Sequence, residues 1–133
     1  DIIDDSTKLR SLCSAFGIKW DSISDYMQKI YNCINADNGK IRSMIKENGA
    51  FDLTGEAPMA FDAVDRIFRS AGLFIVPVGR IESFDKTINK DKKDWVYEIL
   101  ERGNLDSHAN LETARKFVES IVDYKPNFIE NQQ

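Results

Sequence analysis

From Leu73 to Val78 the chain reads Leu-Phe-Ile-Val-Pro-Val, its one run of residues that favours extended backbone, and Gly79 closes it with a turn. The expected strand covers residues 73–78. It follows a helical pattern with only Gly72 between them, an order that matches half of an α/β crossover. In such folds, polar groups just past the carboxyl end of a strand lie where ligands bind. Glu82, in the charged segment after the turn, is therefore the first carboxylate of interest.

The remaining apolar residues repeat at helical spacing and predict about six helices. Leu9, Leu12, Cys13 and Phe16 share one face of a helix capped by Asp5 or Ser6 and closed by Gly17. Ser22 and Asp25 resemble a capping box for a helix striped by Ile23, Met27, Ile30 and Ile34. Ile41, Met44 and Ile45 mark a shorter helix ending at Gly49, and 50–57 is read as a loop. Pro58 suits a first helical turn, with Phe61, Val64, Ile67, Phe68 and Ala71 as the buried face. Trp95, Val96, Ile99 and Leu100 define a fifth helix. Leu111, Ala114, Phe117, Val118, Ile121 and Val122 define a sixth, with Asn110 as its cap. Ile2 and Ile3 read as a strand remnant.

At 133 residues the chain has the size of one domain, and a net charge of -4 argues against a broad phosphate-binding surface. Cys13 and Cys33 fall in apolar helical patterns, the setting of reduced core thiols in a cytoplasmic protein. No apolar run approaches the ~18 residues that cross a bilayer, and no signal peptide opens the chain, so no membrane partner is expected. The abrupt opening DIIDD, without Met, reads as that of a fragment cut from something longer.

The single histidine, His108, lies in a turn-rich stretch and reads as solvated. No zinc spacing, P-loop or nucleophile elbow is present. Carboxylate chemistry remains. Asp1, Asp4 and Asp5 cluster at one expected strand end, and Glu82 with Asp85 at the other. If those strands are neighbours, the acids converge on one edge, where a hard cation such as Mg²⁺ takes oxygen ligands. The plainer reading makes Asp4 and Asp5 helix-capping charges and Glu82 a solvated turn acid. Lys90, Lys92 and Lys93 similarly read either as a solvated helix start or as cations beside a phosphodiester. Trp20 and Trp95 read as packing residues.

The segment LFIVPVGRIESFD, followed by KDKKDW, resembles the carboxyl-terminal part of nucleases of the overcoming-lysogenization-defect (OLD) family. These join an ABC-type ATPase domain to a topoisomerase-primase (Toprim) domain. The family motif places a strand before Val-Pro-Val-Gly-Glu-Leu-Glu and an aromatic, then a lysine-containing segment before tryptophan. Here those positions carry Val76, Pro77, Val78, Gly79, Arg80, Ile81 and Glu82, then Phe84, Lys92 and Trp95. Asp1 is similar to the second aspartate of the family's Asp-x-Asp, and Lys8 to Phe16 with Trp20-Asp21 to the helix and Trp-Asp that follow.

The resemblance implies phosphodiester hydrolysis with Mg²⁺ or Mn²⁺ in the complete domain, in a phage-defence setting. Asp1 and Glu82 would be metal ligands, and Glu82 and Lys92 the catalytic residues, with Lys93 second to Lys92. DNA is the implied partner, and ATP enters only through an upstream domain absent from residues 1–133. Two departures follow. Arg80 stands where the family often has an acid, and the upstream glutamate and first aspartate are missing, so the fragment alone is expected to be inactive. The expected fold is α/β, mainly helical, a partial Toprim-like unit spanning 1–133. The alternative is a non-catalytic helical module for dimerisation, as a homo-oligomer, or for partner docking.

Overall fold

A computed structural model describes residues 6–126. Six α-helices appear where the apolar spacing predicts them: α1 (Ser6–Ala15), α2 (Ser24–Ile34), α3 (Lys40–Asn48), α4 (Ala57–Ser70), α5 (Lys92–Arg102) and α6 (Glu112–Val122). The described part is mainly helical, and none of its helices is long and apolar enough to cross a membrane.

The main core gathers Leu9 and Cys13 of α1, Ile18 and Ile23 of the connection, the Met27, Ile30 and Ile34 stripe of α2, and Ala60, Val64 and Phe68 of α4. α2 lies along α4, each presenting the face its sequence period defines. Ile23 is fully enclosed at 0% exposure. A second, smaller cluster joins Trp95 and Ile99 of α5 to Leu111, with Phe84 and Ile88 packed against it. The two thiols are free: Cys13 buried in the main core, Cys33 half-buried.

Among the described residues there is no β-strand, which corrects the expected strand over 73–78. Residues 73–76 run without regular structure, and 77–80 form a turn. A strand needs a neighbour to complete its ladder, and here the polar groups of the segment pair with helix ends. The Leu73 amide donates to the Phe68 carbonyl at 2.9 Å, and the Pro77 carbonyl accepts the Ala50 amide at 3.0 Å. The side chains still alternate as on a strand: Leu73 and Ile75 face the main core, while the Phe74 ring meets Tyr124 edge-on at 5.7 Å. The expected remnant at Ile2 and Ile3 lies outside the described residues.

Two expected caps also differ. The residue before α2 is Ile23, with no side-chain cap, and the Ser22 hydroxyl donates instead to the Lys19 carbonyl at 2.6 Å. α6 starts after Leu111, preceded by a 3-10 turn, Ala109–Leu111, in which His108 Nδ1 accepts the Asn110 amide at 3.2 Å. His108 thus has a local structural role.

Candidate functional site

The turn after Val78 is set by a crossing of two glycines. Gly49 ends α3 at φ +68°, and Gly79 turns the chain at φ +84°. A Cβ on Gly49 would stand 2.1 Å from the Pro77 carbonyl oxygen, and one on Gly79 2.6 Å from the Ile45 and Lys46 oxygens. Only glycine permits backbones this close with positive φ. The crossing fixes the direction in which Arg80 to Asp85 leave the turn.

Those residues fold into one 3-10 turn, Ile81–Phe84. Arg80 reaches back to α3, pairing with Glu47 at 2.9 Å, with both side chains about half exposed. The Ser83 hydroxyl is buried and donates to the Glu47 carbonyl at 2.6 Å. Lys86 binds the Asn48 side chain. The turn is thus laid against the carboxyl end of α3.

Its other side is tied to α5 by Asp85, whose side chain is 0% exposed. The carboxylate accepts from Arg102 at 2.7 Å and from the amide and hydroxyl of Thr87, while the Asp85 carbonyl accepts the Trp95 indole N–H at 3.1 Å. Burial is the largest single influence and pushes Asp85 upward, but the Thr87 and Arg102 hydrogen bonds and the Arg102 charge together hold it below the ordinary carboxylate range. Asp85 is therefore spent on structure, and not free to serve beside Glu82.

Glu82 itself is placed on the amino end of α5. Its Oε1 accepts the backbone N–H of Lys92 at 2.9 Å, bringing together two of the residues singled out from the sequence. Its acidity is raised first by its own amide, then by the Lys92 amide, with the Arg80 and Lys92 charges adding to the effect. Lys92 adopts φ +49°, a left-handed conformation that costs a lysine about 1–2 kcal/mol. Strain of this kind persists only where surrounding contacts enforce it, and the Glu82 acceptor is one of them. The neighbouring Lys90 is engaged elsewhere, pairing with Glu98 at 2.9 Å.

Asp1, Asp4 and Asp5 lie outside the described residues. Among the described residues no three Asp, Glu, His or Cys side chains converge as a metal-ion cage does. Glu82 is one carboxylate with one oxygen already hydrogen-bonded, and Asp85 is enclosed by its partners, so these residues alone do not form a complete divalent-cation site. Arg80, at the position where the resembled family often has an acid, is held by Glu47. The two tryptophans pack: Trp95 is buried, and the Arg10 guanidinium sits 4.6 Å over the Trp20 ring.

Ser83, which lies inside the motif without a role there, and Arg102 and Glu47 gain their parts only in the structure. Ser83 could have been noticed from its place inside the motif. Arg102 and Glu47 carry no local signal, because their partners are far along the chain. Compared with known protein families, with curated proteins and with solved structures, the chain matches none.

Proposed function

We propose that residues 1–133 are part of a divalent-metal-dependent DNA endonuclease, the carboxyl-terminal portion of a Toprim-like domain coupled to an upstream ABC-type ATPase. One observation carries the reading: Glu82 accepts the Lys92 amide at 2.9 Å, although ten residues separate them. The motif resemblance ties those two positions to phosphodiester cleavage, and the contact brings the Glu82 carboxylate to the start of α5, where Lys92 stands.

In this reading Glu82 is a carboxylate fixed on the Lys92 amide, and the Lys92 ammonium supplies the cation. A cation next to a phosphodiester stabilises charge as it develops during cleavage. The further acids that hold Mg²⁺ or Mn²⁺, Asp1 among them, complete the site with upstream residues, and 1–133 alone is inactive. The test is nicking of plasmid DNA, with Mg²⁺ or Mn²⁺, by the chain extended upstream. Glu82→Ala is expected to reduce nicking by about a hundredfold or more. Unchanged nicking in a folded Glu82→Ala protein removes the reading.

A second reading, a helical module for self-association or partner docking, draws on α6. Its apolar stripe is pronounced, yet none of its residues is buried, and Val118, Ile121 and Val122 are 54%, 43% and 74% exposed. Light scattering on the eluting protein tests it. Concentration-dependent mass that Val122→Glu abolishes supports association through α6, and a monomer at all concentrations excludes self-association.

A further inference from the structure

Among the described residues, the two buried polar side chains are Ser83 and Asp85, one and three positions after Glu82 in the same turn. Burying a hydroxyl or a carboxylate is unfavourable unless its hydrogen bonds are met. Here each is met by a different helix. Ser83 Oγ donates to the Glu47 carbonyl of α3 at 2.6 Å, and Asp85 accepts from Arg102 of α5 at 2.7 Å. Between them Phe84 packs on the Trp95 cluster, its ring 6.0 Å from that of Phe117. The backbone of the turn closes on itself, Ser83 N–H to Arg80 O at 3.0 Å and Asp85 N–H to Glu82 O at 3.3 Å. Three consecutive side chains after Glu82 thus fix the turn that carries it.

We propose that Ser83 and Asp85 are positioning residues for Glu82: pinned to α3 and α5, they hold the carboxylate of Glu82 on the amide of Lys92. The inference deepens the nuclease reading and rests on it only in treating Glu82 as the working group. Asp85 acts through Arg102 and Thr87, and Ser83 through Glu47. Neither touches the reacting atoms. The charges near Glu82 are Arg80 on its own turn and Lys92 on α5, with Glu47 of α3 already paired to Arg80.

The test follows the Lys92 amide shift by NMR in the ¹⁵N-labelled full chain at one neutral pH. In the wild type the Glu82 hydrogen bond should hold this proton downfield, and Glu82→Ala gives the shift without that bond. Ser83→Ala and Arg102→Met should move the Lys92 shift toward the Glu82→Ala value, and Arg102→Lys should restore most of it. A merely structural role predicts lower stability in each variant with the Lys92 reporter unmoved. Folded variants whose Lys92 shift stays at the wild-type value overturn the proposal. Ser83→Ala removes one hydroxyl, so the outcome does not depend on Arg102→Met folding. Nicking by the upstream-extended chain is read separately. A Lys92 reporter that moves while Glu82→Ala nicks normally keeps the positioning and removes the nuclease reading. A fixed reporter with nicking lost in Glu82→Ala does the reverse.

Discussion

Asp85 decides how the turn responds to acid. Its folded-state pKa lies below the ordinary value, so the stability it contributes is complete above about pH 4 and is lost as pH falls through the folded value. Urea midpoints measured from neutral pH down to about pH 3 should show a gap between wild type and Asp85→Asn that closes in acid. A gap that stays constant contradicts the assignment. At neutral pH, Arg102→Met leaves a buried carboxylate short of its cation and should cost about 3 kcal/mol in unfolding free energy. At this scale the sequence is informative about Glu82 and Lys92, through the motif they share. It is silent on Arg102, because helical periodicity marks positions three or four apart, whereas this pair spans 17.

Among the elements, the crossing of Gly49 and Gly79 is the least forgiving. Gly79→Ala places a methyl group against two backbone oxygens that cannot move independently of α3, and should cost roughly 3 kcal/mol or more. Gly39→Ala separates space from conformation, since Gly39 has φ +81° with nothing within 4 Å, and should cost about 1–2 kcal/mol for its φ alone. Equal losses in the two variants, measured by chemical denaturation, would contradict the close crossing. The six helices were legible because each keeps an apolar period across its length. The strand over 73–78 was not, because composition records a preference for extended backbone and cannot supply the neighbour that makes a ladder. The period of α6 predicts the helix and not its cover: an apolar stripe shows that a face can be covered, and here Val118, Ile121 and Val122 remain exposed. The candidate caps failed because the Ser22 hydroxyl donates to the nearer Lys19 carbonyl, and because His108, not Asn110, supplies the capping side chain ahead of α6.

For the molecule as a whole, the two clusters differ in size and should differ in resistance to opening. Amides of α2 and α4, packed around Val64, Phe68 and the enclosed Ile30 stripe, should exchange with solvent more slowly than those of α5, which rests on the small Trp95, Ile99 and Leu111 cluster. Hydrogen exchange that protects α5 as strongly as α4 would show one cooperative unit. The Glu82 turn lies between these parts, tied to α3 by Ser83 and to α5 by Asp85, so the candidate site depends on both sides of the fold. The most direct measurement is the single-turnover nicking rate of the upstream-extended chain as wild type, Glu82→Ala, Lys92→Ala and Lys93→Ala. The account predicts losses of about a hundredfold or more for Glu82→Ala and Lys92→Ala, with Lys93→Ala within severalfold of wild type. Equal losses at Lys92 and Lys93, or none at Glu82, would contradict it.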